Sequence, residues 1–215
     1  MITLDRPPGG SVVASGDGTD AAAVRRHFEE HDWALVPGLL GPRLLGEVSS
    51  ALERAEFELR ADSMGGELKL DATDPIVARL LFVVNDPAVY RMVEAATGID
   101  SLARFDGRIY RRTPEVAHYH VWHDDVAGDT RLVAMSVNLG DAPFEGGDFL
   151  LRAKGAAGEP APVHNAGPGD ALLFRVRSDL EHRMTDVTAG TKTAFVGWFG
   201  AKPPWPLPHG SMIAP

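Results

Sequence analysis

The stretch His118-Tyr119-His120-Val121-Trp122-His123-Asp124-Asp125, answered far downstream by His182 and by Lys192-Thr193-Ala194-Phe195-Val196-Gly197-Trp198-Phe199, decides how this chain is read. Both multi-residue runs read as extended strands, in which successive side chains point to opposite faces. On the first, Tyr119, Val121, His123 and, with extension continued, Asp125 face one way. His118, His120 and Trp122 face the other, and the two histidines read as outer-face or second-layer residues. Asp124 also points away, which suits a surface or hydrogen-bonding role. His123 and Asp125 are therefore the pair able to chelate together, with His182 as a distant partner.

Working outward, short runs separated by Gly, Pro and Asp predict strands at Phe105–Arg112, His118–His123, Leu132–Leu139, Asp148–Arg152, Ala171–Val176 and Thr191–Phe199. Many short strands without intervening helices indicate a sandwich or barrel. The Gly-, Ala- and Pro-containing stretch Ala153–Gly169 reads as a loop around a short strand at Ala161–His164, and Pro203–Pro208 as an extended tail. Before residue 100, helical signals dominate. An Ala-rich run spans Asp20–Glu30, and Leu44, Val48, Ala51, Leu52 and Ala55 recur at helical spacing after Pro42. Asp74-Pro75 and Asp86-Pro87 each set a capping carboxylate before a proline suited to a first turn, and Gly98 is a stop for the second of these helices. Trp33–Val36 reads as a strand ending at Pro37-Gly38. The expected organisation is one domain over 1–215, mainly β with flanking helices (α+β). Residues 1–100 form a helical buttress, 101–200 the β core and 201–215 an extended tail.

Composition narrows the function classes. A formal net charge of −9 argues against a nucleic-acid groove or an anionic membrane surface, so no nucleic-acid or membrane partner is expected. Cysteine is absent, which excludes a disulfide framework, a thiolate nucleophile and cysteine-bound zinc or iron–sulfur clusters. Any metal must use His, Asp or Glu. No basic start precedes a long apolar run and no segment has the length of a membrane span, so a soluble, cytoplasmic protein is expected. Oligomeric state has no signature here.

Two histidines and one carboxylate suit Fe(II), and three protein ligands leave positions open for other molecules. The spacing His-x-Asp alone arises often by chance. It gains weight from the ordered runs around it: Phe144-Glu145-Gly146-Gly147-Asp148-Phe149, then Gly167-Pro168-Gly169-Asp170-Ala171-Leu172-Leu173-Phe174, then His182, then Gly190-Thr191-Lys192. On parity, Lys192 shares a face with Ala194, Val196 and Trp198, where a lysine is conspicuous among apolar neighbours. Its plainer reading is a solvated residue at the start of a strand.

This ordered set resembles the Fe(II)- and 2-oxoglutarate-dependent oxygenases, particularly the prolyl-hydroxylase-like branch. The resemblance covers Arg108 to Phe199 through WHDD at 122–125, SVNL at 136–139, FEGGDF at 144–149, GDALLF at 169–174, His182 in LEHRM, and GTKTAFVGWF at 190–199. It implies a double-stranded β-helix, a jelly-roll or cupin-like barrel, with helices packed on one side. It also implies iron held by His123, Asp125 and His182, with 2-oxoglutarate and O2 as cosubstrates. The distal carboxylate of 2-oxoglutarate would then meet Lys192, where many relatives carry arginine; a lysine offers a point charge in place of a two-pronged fork. Tyr110 resembles the tyrosine that assists 2-oxoglutarate binding, and Ser136 and Asn138 occupy positions that touch cosubstrate or iron-bound groups in relatives.

The implied reaction releases succinate and CO2 and hydroxylates a C–H bond. Halogenation is disfavoured because Asp125 occupies the place that halogenases leave to chloride. Desaturation, epoxidation and cyclisation use the same residues and stay open. The substrate expected is a small molecule, amino-acid-derived or carrier-tethered, with a peptide or protein side chain as the alternative; loops 60–73 and 153–168 would shape its pocket. Two other classes remain: a cupin-like metal-binding protein that is no oxygenase, and an interaction protein that keeps the fold without metal. Arg108, Tyr110 and Arg112 share a face, solvated or pocket-lining. Trp122 and Trp198 read as core, Arg175 and Arg177 as exposed arginines, and His31, His164 and His209 as surface residues.

Overall fold

A computed structural model describes residues 3–5, 13–15, 18–62, 65–119, 121–127, 130–165 and 167–201. In chain order the elements are β1 (Thr3–Asp5), β2 (Val13–Ser15), α1 (Gly18–His31), β3 (Trp33–Val36), α2 (Pro42–Leu52), β4 (Phe57–Asp62), β5 (Gly65–Leu70), α3 (Pro75–Val84) and α4 (Pro87–Thr97). There follow β6 (Leu102–Arg112), β7 (Arg131–Asn138), β8 (Glu145–Gly146), β9 (Phe149–Ala153), β10 (Ala171–Arg175), β11 (Leu180–Met184), β12 (Val187–Ala189) and β13 (Lys192–Ala201). His120, the stretch beyond Ala201 and His209 lie outside the described residues.

A seven-stranded antiparallel sheet in the order β3-β10-β7-β13-β6-β5-β4 organises the molecule. Its central strand β13 alternates as its sequence dictates. Phe195 and Phe199 point to one face and are fully buried, whereas Lys192, Ala194, Val196 and Trp198 line a cavity on the other. The first face is covered by helices: Leu44 and Val48 of α2, Leu80 and Val84 of α3 and Val93 of α4 share one core with Ile109, Val137, Phe195 and Phe199. Helices α3 and α4 begin where the sequence places them. Asp74 accepts a hydrogen bond from Ile76 N at 2.8 Å and Asp86 one from Ala88 N at 2.7 Å, each followed by proline in the first turn. Helix α4 ends at Gly98 as expected.

On the second face lie two short pairs, β9 with β11 and β8 with β12. Phe149 of β9 packs with Phe174 of β10 and Ala134 of β7, joined by Met184 and Trp198, in a smaller apolar cluster between the layers. The architecture is mainly β with helices on one side, the double-stranded β-helix arrangement. Among the described residues its ladders do not close into a barrel; the large sheet ends at β3 and β4.

Four details differ from the sequence reading. The described residues of 118–123 form no strand and hold two isolated bridges, Gly66 with His118 and His123 with His182. A turn beginning at Thr113-Pro114 breaks the extension, and Asp125 adopts a left-handed φ of 58°. Strands β4 and β5, where a loop was expected at 60–73, form the hairpin that extends the sheet beside β6. Strands β8, β11 and β12 are additions, and the short strand foreseen at Ala161–His164 reduces to one bridge between Val163 and Phe149.

Candidate metal centre

The site is assembled by one local pairing. His123 N donates to His182 O at 3.1 Å and His182 N to His123 O at 2.8 Å, so the two residues exchange both hydrogen bonds as a narrow antiparallel pair. Directly paired residues project from the same side, and the two imidazoles lie with centroids 4.2 Å apart. His123 donates through Nδ1 to Val121 O at 2.9 Å, which turns Nε2 toward Asp125 at 3.5 Å. His182, on β11 and stacked near Phe149 and Phe174, approaches the same carboxylate through Nε2 at 3.3 Å. One ligand atom from each of His123, Asp125 and His182 lies within 4.8 Å of the others, the sole such His/Cys/Asp/Glu group among the described residues.

Strand parity pairs His123 with Asp125, but the backbone brings them together by another route. Asp125 reaches the site because its backbone turns into the left-handed region, where non-glycine residues concentrate at functional positions. The turn is held from two sides. Arg131 Nη1 donates to Asp125 O at 3.1 Å, and Trp198 Nε1 donates to Asp125 Oδ2 at 2.8 Å. The Arg131 guanidinium also stacks 3.7 Å over the Trp198 ring. Trp198, expected as core, is thus a direct partner of the carboxylate; its shared parity with Lys192 was the available signal.

Electrostatics favour a cation. Burial pushes the Asp125 carboxyl upward, but hydrogen bonds from His182 and Trp198 and the charge of His123 outweigh it and hold the pKa below the usual range. Burial lowers the His182 pKa against the pull of Asp125. An ionised carboxylate beside a neutral imidazole is a donor set that fits a divalent ion such as iron.

His118 corrects the outer-face reading. It is buried, accepts from Thr113 N through Nε2 at 3.0 Å and lies 3.3 Å from Gly66 O through Nδ1, tying the segment after β6 to the β4–β5 hairpin. Asp124 is a surface residue paired with Lys154 at 2.6 Å. Trp122 lies under the guanidinium of Arg152 at 3.8 Å. Arg175 and Arg177 pair with Asp32 at 2.6 and 3.6 Å, and Arg108 with Asp106 at 2.9 Å, so none of the three faces the metal set.

A cavity of about 260 Å³ opens from the triad across the sheet, lined by Tyr110, Ser136 and Lys192 together with apolar Leu172, Phe174 and Val196. Lys192 is not solvated. It is buried, and its Nζ donates to Gly147 O at 2.6 Å and to the Asn165 side chain. Burial first, and then the Arg112 cation, lower its pKa to about 7. The FEGGDF run explains how that contact is made. Gly146 and Gly147 have φ of 74° and 67°, and added Cβ atoms would lie 2.0 Å from Asp186 O and 3.0 Å from Lys192 Cδ. Asn138 stands one step away: its Oδ1 accepts from Gly140 N at 3.0 Å, and it lines a smaller void of about 30 Å³ shared with Ser136 and Lys192.

Comparison with known proteins agrees with this geometry. Residues 109–200 match the family described as the 2OG-Fe(II) oxygenase superfamily. No curated protein matches the sequence. An oxidoreductase of the 2OG-Fe(II) oxygenase family from Burkholderia pseudomallei superposes with a TM-score of 0.61 at 17% identity, over 92% of this chain and 95% of its own. A prolyl-4-hydroxylase from Pseudomonas putida gives 0.59 at 16%, over 85% of this chain and 100% of its own. The non-heme alpha ketoglutarate dependent epimerase SnoN from nogalamycin biosynthesis gives 0.62 at 15%, over 86% and 82%.

Proposed function

Because the chain belongs, over residues 109–200, to the 2OG-Fe(II) oxygenase superfamily, we propose that it is a hydroxylase of an unactivated C–H bond in a small or amino-acid-derived molecule. The superfamily's cofactors are Fe(II), 2-oxoglutarate and O2. In this reading His123, Asp125 and His182 hold the iron. The observation that carries it is the convergence of those three ligand atoms on a cavity whose wall contains a buried cation, Lys192. Bound iron supplies the oxidising chemistry that couples loss of CO2 from 2-oxoglutarate, leaving succinate, to insertion of oxygen into the substrate.

The chain's own residues do the rest. A buried carboxylate without a partner is costly, and Lys192 meets the distal carboxylate of 2-oxoglutarate, with Tyr110 and Ser136 beside it on the cavity wall and Asn138 supporting from the adjoining void. Trp198 occupies Asp125 Oδ2, which leaves Oδ1 for the metal. Leu172, Phe174 and Val196 exclude water from the same space. A cavity of about 260 Å³ suits a cosubstrate and the reacting end of a small substrate.

Purified protein given Fe(II), ascorbate and air should form succinate from 2-oxoglutarate, and His182→Ala should lose both this turnover and stoichiometric iron. A His182→Ala protein that retains iron as the parent does would remove the triad from the site. Screening free small molecules against proline-containing peptides for stimulated succinate release separates the substrate classes.

A further inference from the structure

Beside the lysine stands a second cation whose hydrogen-bonding capacity is incompletely used. Arg112 ends β6 directly opposite Lys192 in the β6–β13 ladder and lines the same cavity. Its Nη2 donates to Tyr119 O at 3.2 Å, while Nη1 is buried without a hydrogen-bond partner among the described residues. A buried donor left unmade is expensive, and it is most expensive on a charged group. Glu67 and Asp186 lie near enough to favour its charge, yet burial dominates and lowers its pKa. Lys192 in turn uses two of its three protons, on Gly147 O and Asn165. The two neighbouring cations therefore present two free donors, one planar and one point-like.

We propose that Arg112 and Lys192 form a two-cation clamp for a single carboxylate, the distal group of 2-oxoglutarate. Arg112 is then a cosubstrate-binding residue that selects a dicarboxylic over a monocarboxylic 2-oxo acid. This rests on the reading that Lys192 holds that carboxylate. An anion between them satisfies Nη1 and relieves the repulsion between the cations, which neither residue achieves alone. It also accounts for lysine at this position: the planar fork that an arginine would offer is supplied by Arg112 from the neighbouring strand.

The test is anaerobic titration calorimetry of the full chain loaded with Fe(II), comparing 2-oxoglutarate with 2-oxobutyrate, which has the same 2-oxo acid head and no distal carboxylate. Arg112→Met should weaken 2-oxoglutarate about 10- to 100-fold, the loss of one charged hydrogen bond. Binding of 2-oxobutyrate should change little, and Arg112→Lys should recover part of the difference. Equal binding of 2-oxoglutarate by Arg112→Met and the parent, or equal weakening of both acids, overturns the clamp. Lys192→Met distinguishes the underlying reading: if it leaves 2-oxoglutarate binding intact, the assignment of Lys192 fails, whereas weakening by Lys192→Met alone refutes Arg112 only. Thermal unfolding without ligand checks that each variant is folded. If Arg112→Met does not fold, Arg112→Lys takes its place: partial weakening confined to 2-oxoglutarate supports the clamp, and unchanged binding overturns it.

Discussion

Replacing Lys192 by Met should stabilise the fold while impairing the site, with the gain fading as pH rises. The drop of the Lys192 pKa from its ordinary 10.5 to about 7 corresponds to roughly 5 kcal/mol of penalty for burying the charge. Asp148 opposes this shift, whereas burial and Arg112 produce it. Methionine of similar length removes the penalty but leaves Gly147 O and the Asn165 side chain without their donor, a loss of roughly 1–3 kcal/mol for each. Taken at about 2 kcal/mol for each acceptor, the loss is about 4 kcal/mol, and a net gain of about 1 kcal/mol below pH 7 follows. The sign of the pH dependence is fixed by linkage. Below pH 7 the lysine is charged in folded and unfolded protein and the fold bears the whole penalty. Between about 7 and 10.5 the folded protein releases a proton that the unfolded chain keeps, so parental stability rises with pH. The methionine variant lacks this rise. Urea unfolding at about pH 6 and about pH 9.5 should therefore show the variant-minus-parent difference falling by several kcal/mol. A difference constant across that range would refute the argument, because the orphaned acceptors contribute equally at both pH values and only the lysine titrates.

Two further outcomes follow from named contacts. Trp198→Phe keeps the ring under Arg131 but removes the 2.8 Å hydrogen bond to Asp125 Oδ2; iron affinity should fall about 10- to 100-fold, as for other partners of metal ligands, measured by competition with a chelator, and unchanged affinity would show the contact to be structural only. Asp74→Ala removes the cap that receives Ile76 N. It should lower stability by about 1 kcal/mol, readable as a shift in the urea midpoint, with succinate formation per folded molecule unchanged.

Local rules make much of the molecule legible. Asp-Pro pairs start α3 and α4 because the carboxylate satisfies a first-turn N–H and proline needs none. The alternation of β13 places Lys192 on the cavity face because side-chain direction along a strand has period two. The β4–β5 hairpin is harder to see, although Phe57, Leu59, Leu68 and Leu70 alternate with charged residues. It lies at the sheet edge, and Leu59 is left 54% exposed, so its apolar signal is thin. The outer-face reading of His118 fails where extension fails: a turn near Pro114 resets which side faces inward, and the histidine becomes a buried tie to Gly66.

Residue types and their order, read through the family resemblance, made His123, Asp125, His182 and Lys192 the candidates, because the chemistry of binding a divalent cation and a carboxylate restricts which side chains serve. Tertiary structure alone decided how they meet. The exchange of hydrogen bonds between His123 and His182 joins segments with no local signal for each other, and the left-handed turn at Asp125 is held by Arg131, six residues on, and by Trp198 from the distant strand β13. Likewise only the ladder register sets Arg112 against Lys192 and leaves Nη1 buried without a partner among the described residues. Burial and pairing across sequence distance depend on the whole fold, and no window of residues contains them.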